Sequence, residues 1–252
     1  MRPDPRDFVI VLCFAGAFMA TSSRAGWLDK VIGGSSNIVT GTSALSVDEM
    51  TGGLKEALAQ GTEKAIKSLG TTNGYLGNAA VKIPMPKKLH DIEKGLRATG
   101  QGKYADDFIA TMNHAAEAAV PEASPIIGDA IRQMTVADAK DILNGPDDAA
   151  TQYFRKVSET RLKEKILPIV KQATEKTGVT AAYKNLTSNA GFMSSFLQNQ
   201  GLDVDQYVTD EALAGVFKMI AAEEKEIRKN PTARSTDLLK KVFGSVTPPA
   251  TH

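Results

Sequence analysis

The chain has 252 residues, 30 basic and 29 acidic, for a formal net charge of +1. That balance lacks the basic footprint from which a nucleic-acid binder draws its affinity, so no nucleic acid is expected as a partner. The single cysteine, Cys13, lies in an apolar leader. The remaining chain therefore excludes disulfides, thiolate metal sites and cysteine nucleophiles, and must be held by its core alone.

Residues 1 to 25 read as a cleavable export signal. Arg2 and Arg6 precede an apolar run from Phe8 to Ala20, and Ser23 and Ala25 place small residues where a signal peptidase reads. The run is shorter than the roughly 20 residues that a spanning helix needs, so no transmembrane segment is expected in the mature chain. Leu12 before Cys13 is too large for a lipoprotein signal. Cleavage after Ala25 removes three basic and two acidic residues and leaves the mature chain neutral. The expected location is the bacterial periplasm or the medium.

Residues 26 to 45 form a short segment around Trp27 followed by a Gly-, Ser- and Thr-rich linker. A helical domain is expected over 46 to 244. Ser46 and Glu49 have the spacing of a capping box, and Leu54, Leu58, Ala65, Ile66 and Leu69 mark an apolar stripe that Gly70 ends. Gly52, Gly53 and Gly61 either weaken this helix or admit a close neighbour. The Gly-rich stretch "LGTTNGYLGN" reads as a loop, and "VKIPMPKK" as extended, because each proline disfavours α in the residue before it.

Helices follow at about 87 to 98, 103 to 119, 121 to 133 and 136 to 143, the last with Thr135 and Asp138 as a capping pair. "GPDDAATQYFRK", from Gly145 to Lys156, has the cast of a small active site, yet each residue also fits a helix start. Gly145 and Pro146 stop one helix, and Asp147 or Asp148 caps the next. Tyr153, Phe154 and Val157 are expected to face inward, with Thr151 and Arg155 as an i,i+4 pair. This helix runs to Thr177, and Pro168 is expected to bend or divide it. Further helices are expected at 179 to 199, near 203 to 208, from Glu211 to Lys229 under an Asp210 cap, and over "TDLLKKVFG", before a disordered tail at 245 to 252. No run alternates over enough residues to require a strand. The fold class is all-α: a single multi-helix domain behind a cleaved signal peptide, with a bilobed arrangement as the alternative.

Charge is uneven along this neutral chain. Residues 82 to 103 carry a net +4, residues 104 to 150 a net −7, and residues 155 to 176 a net +4. Neighbouring helices that pair these faces within the molecule account for the pattern, and a polarised docking surface is the sharper alternative. His114 and Glu117 lie one turn apart on a helix, a weak metal pair without a third ligand. No cofactor is expected, since nucleophile-elbow, phosphate-loop and dinucleotide patterns are all absent. Adjacent acids such as Asp147–Asp148 and Glu223–Glu224 diverge by about 100° on a helix and share no site. Glu223 to Glu226 read as a solvated face on which Glu224 pairs with Arg228.

The Ala-rich stretch "MNHAAEAAVPEASP", from Met112 to Pro125, presses its few polar groups against neighbours. Asn113, Glu117 and Glu122 cap and tie helices in the plain reading. In the functional reading they line a pocket with Asp148, Tyr153 and Arg155.

The segments "LKEALAQGTEKAI", "KIPMP", "AAEAAVPEA", "DDAATQYFR", "LPIVKQAT" and "LLKKVFG" follow one another in an order that resembles the bacterial exported proteins of domain of unknown function 4197. The resemblance covers about Leu45 to Gly244 and implies a helical envelope protein with a signal peptide. It carries no catalytic mechanism and transfers no functional residue. The family pattern often has Arg where this chain has His114, which further weakens the metal reading.

The leading expectation is a non-enzymatic envelope protein that binds a partner protein or a small ligand. The second is a cofactor-free hydrolase or lyase with Glu117, Glu122 or Asp148 as acid or base. The third is a metal-binding protein through His114 and Glu117. Oligomeric state is not readable from the residues.

Overall fold

In the computed structural model, residues 46–189, 202–234 and 236–245 are described, and all their regular secondary structure is helical. The expected signal peptide, the linker, the tail and the far end of the helix foreseen at 179 to 199 lie outside the described residues.

Helix α1 spans Val47–Leu69 and begins with the expected capping box, Ser46 and Glu49 each satisfying the other's orphan amide. Gly53 is a close-approach site: a Cβ there would lie 2.7 Å from Val242 Cγ2. A loop over 70–81 and an extended stretch over 82–86 lead into a 3-10 turn at Lys87–Leu89 and α2, His90–Ala98. Then come α3 (Lys103–Ala119), a 3-10 turn (Val120–Ala123), α4 (Ser124–Gln133) and α5 (Val136–Asn144). Thr135 and Asp138 form the second expected capping box, at the start of α5.

Helix α6 runs from Ala149 to Thr177 as one element. The division expected at Pro168 does not occur, because Pro168 lies on the exposed side, where water can serve the carbonyl left without a donor. Its buried ridge is a strict i+4 row, with Phe154, Ser158, Leu162, Ile166 and Val170 in register. Val157 falls off that row and is 50% exposed, contrary to its expected inward position. Gly178 ends the helix at φ 78°, a left-handed cap that suits glycine.

Helix α7 is Val179–Ser188, α8 is Val204–Lys229 and α9 is Asp237–Ser245. The two elements expected at 203 to 208 and 211 to 229 are the single helix α8, capped by Asp203 rather than Asp210. Val208, Ala212, Leu213 and Val216 keep one apolar face in phase across the supposed break. Asp210 sits inside the helix and accepts from Gln206 and from Lys163 of α6.

Helices α3, α6 and α8 pack on one another, and α1 lies against α4, α5, α8 and α9. Buried apolar residues of all these helices join one cluster, so the described residues form a single all-α domain rather than two lobes. Phe108, Met112, Ala115, Ala116 and Ala119 of α3 are fully buried, and the alanines let its neighbours approach closely.

The loop after α1 is keyed into this bundle by Tyr75. Its ring is fully buried, and its hydroxyl donates to the Ala212 carbonyl of α8 at 2.7 Å. Burial, and then the nearby Glu117 charge, push the Tyr75 phenol well above the ordinary tyrosine range. The ring needs the missing side chain of Gly215, because a Cβ there would stand 2.6 Å from Tyr75 Cε1. Gly215→Ala is therefore expected to cost about 1–3 kcal/mol in urea denaturation. Gly128→Ala, whose Cβ would meet only Arg132 Nη1 at 3.5 Å, should instead gain about 0.5–1 kcal/mol.

Alkaline unfolding tests the buried phenol. With a folded pKa above the unfolded value of about 10, the group's stabilisation is complete below pH ~10 and is lost as pH rises beyond it. Tyr75→Phe should cost about 1 kcal/mol at neutral pH through the lost hydrogen bond. The gap between wild type and Tyr75→Phe should then narrow as urea titrations move from pH 8 towards pH 11.

Candidate functional site

Two carboxylates among the described residues are buried, Glu117 at 6% exposure and Glu224 at 5%. A buried charge is costly unless donors surround it, so their partners decide what either can do. Glu117, near the end of α3, faces the loop after α1. Its Oε1 accepts from the backbone amides of Tyr75 at 3.0 Å and Leu76 at 3.1 Å. Its Oε2 accepts from the amide of Asn73 at 3.1 Å and from His114 Nδ1 at 2.9 Å. Asn73 takes a left-handed conformation, φ 63°, which the short Asn side chain tolerates and which helps turn successive amides towards one anion.

One turn earlier, Asn113 holds the extended stretch. Its Oδ1 accepts from the Ile83 amide at 2.8 Å, while Nδ2 donates to the carbonyls of Ile83 at 2.9 Å and Ile109 at 2.8 Å. Asn113 and Glu117 thus pin the non-helical segment between α1 and α2 onto α3. The sites foreseen for a metal are occupied by this work. The four acceptor positions of Glu117 are all engaged, and no group of three or more possible ligands occurs among the described residues.

The second clasp lies at the start of α6. Asp148 is the N-cap residue, but its side chain bonds no helix amide. Glu224 of α8 takes that place from across the bundle: Oε1 accepts from Ala150 N, and Oε2 from Thr151 N and Thr151 Oγ1, at 2.9 to 3.0 Å. Arg228, one turn on, donates to Glu224 and to the Ile142 carbonyl in the last turn of α5. One i,i+4 pair therefore puts a negative charge at the start of α6 and a positive charge at the end of α5, complementing both dipoles.

The sequence reading of Glu224 as part of a solvated face is corrected here. A readable signal existed, because Glu224 continues the apolar row of Phe217, Ile220 and Ile227 on α8.

The polar residues named from the sequence do not meet in one pocket. Asn113 and Glu117 are buried under the loop after α1, and Glu122 is exposed on the 3-10 turn. The Tyr153 hydroxyl donates to Asp138 of α5 at 3.2 Å, away from Glu117. Arg155 lies over the Phe217 ring of α8, 4.9 Å from its centre. Asp148 and Arg155 do share a setting: with Thr151, Gln152, Ala214, Phe217, Lys218 and Ala221 they line an open groove of ≈ 450 Å³ between α6 and α8. A second cavity beside Glu224, among α1, α8 and α9, is ≈ 10 Å³, room for about one water and no larger ligand.

Asp148 accepts from Gln152 Nε2 at 2.9 Å, and Lys218 Nζ donates to the Ala80 carbonyl at 2.6 Å. The groove thus has two cations, one carboxylate partly satisfied by an amide, and a low wall of two alanines. It holds no second carboxylate for paired acid–base chemistry, and no hydroxyl free to act as a nucleophile: Thr151 Oγ1 donates to Glu224.

The two acids at the start of α6 separate cleanly by mutation. Asp148→Ala removes an exposed side-chain bond and should change stability by no more than about 0.5 kcal/mol. Glu224→Ala leaves two buried amides and Arg228 without their acceptor and should cost about 3 kcal/mol or more, read from chemical denaturation midpoints.

Among the described residues no helix is long and apolar enough to cross a membrane. No curated protein and no solved structure matches the chain. A family model does, over residues 44–244, the whole of the helical domain built around these two clasps. The chain belongs to the family described as "Protein of unknown function (DUF4197)".

Proposed function

We propose that the protein is a non-enzymatic binding protein of the bacterial cell envelope, and that the groove between α6 and α8 is where it binds. The observation that carries this reading is how the polar groups divide. Asn113, Glu117 and Glu224 are buried and engaged with backbone groups, which makes them structural. The groove alone gathers polar and charged side chains around an open space of ≈ 450 Å³, within the range of roughly 300–1,000 Å³ usual for small-molecule sites.

Acid–base catalysis finds less support. Of Glu117, Glu122 and Asp148, Asp148 alone lines the groove, and the other two lie elsewhere. Export rests on the basic and apolar pattern of residues 1 to 25, which would deliver the mature chain across the inner membrane.

The protein purified from its own envelope under gentle conditions should carry a ligand or partner, seen by native mass spectrometry as a mass above that of the chain. Cell fractionation should place it with periplasmic markers, its leader removed. Repeated spectra of a bare monomer, or a chain retained in the cytoplasm with its leader intact, would sink the proposal.

A further inference from the structure

The groove shows which chemistry it suits. Among the described residues Arg97, Arg132, Arg161 and Arg228 each pair with a carboxylate, and Arg234 donates to the carbonyls of Ile227 and Arg228. Arg155 differs from all of them. It is exposed, forms no ion pair within 4.0 Å among those residues, and is held instead by the face of Phe217. Stacking on an aromatic face restrains the guanidinium while leaving its edge donors uncommitted, and that planar fork matches a carboxylate or phosphate.

Lys218 stands on the other wall. Its single recorded hydrogen bond, to the Ala80 carbonyl, fixes the ammonium at the groove and leaves donors to spare. The one opposing charge, Asp148, accepts from Gln152. Ala214 and Ala221, one helical repeat apart on α8, keep the space above Phe217 open and give it an apolar side.

We infer that the α6–α8 groove is an oxyanion-binding site, in which Arg155 and Lys218 take the carboxylate or phosphate head of a small organic anion whose apolar part lies against Ala214 and Ala221. This inference rests on the reading of the protein as a binding protein and adds the class of ligand.

Isothermal titration of the purified protein with hexanoate, hexyl phosphate and hexanol tests it. At least one anion should bind saturably and hexanol should not, and the tighter of the two anions identifies the head group. Arg155→Gln should weaken that binding by about tenfold or more, the usual worth of a charge-assisted hydrogen bond. Ala221→Phe, which fills the groove from a half-buried position, should abolish it. Both variants should unfold at the wild-type temperature, since neither residue holds a buried polar group. No saturable binding of either anion would overturn the inference, as would binding that both variants leave intact or hexanol binding equally well. Native spectra that show a bound species in a protein indifferent to both anions would overturn this ligand class while leaving the binding reading in place.

Discussion

A carboxylate buried in a helical bundle needs donors, and the helix that carries it has none to lend in its interior. Glu117 meets this constraint by gathering three amides from the loop after α1, with His114 as the fourth donor. Much of the fold follows from that solution. The loop must lie on α3, the extended stretch behind it falls within reach of Asn113, and Tyr75 is carried into the gap that Gly215 leaves in α8. Three segments distant in sequence are thereby located by one side chain.

Glu224 solves the same problem with a different set of amides. The free N-terminal amides of α6 are the natural donors, and Arg228 balances the charge while reaching the last turn of α5. Both clasps hold backbone to side chain across long sequence separations, which is how a chain with one cysteine, placed in its leader, can hold irregular segments without disulfides. Surface charge contributes less. Arg97 with Asp106, Arg161 with Asp129 and Lys163 with Asp210 do pair the basic and acidic stretches within the molecule, yet such exposed pairs are worth about 0–1 kcal/mol each. With the uneven charge largely absorbed this way, Arg155 stands out as a cation left over beside an open groove.

Local signals carried much of the architecture. The capping boxes at Ser46 and Thr135, the extension of α3 from Lys103 to Ala119 and the αL stop at Gly178 depend on neighbours within a few residues, so they are legible in the chain itself. The segments resembling domain of unknown function 4197 likewise marked the extent of the family match. Errors arose where a local signal met a stronger tertiary one. Asp210 looks like a cap, but the unbroken apolar face of α8 runs through it. Pro168 looks like a break, but solvent on its side of α6 tolerates the missing bond. Asp148 looks like the cap of α6, but Glu224 arrives from another helix and replaces it.

From its residues alone this protein was determined to be all-α, cysteine-free beyond its leader, and without a recognisable catalytic or phosphate-binding motif, because periodicity, capping and composition are properties of short windows. Only tertiary structure decided what the polar residues of "GPDDAATQYFRK" do. Tyr153 turns to α5, Thr151 to Glu224 and Arg155 to Phe217, three directions on one helix. Which elements pack on each face is not written in the window that carries those residues. The separation of structural clasps from an open groove is therefore a property of the assembled bundle.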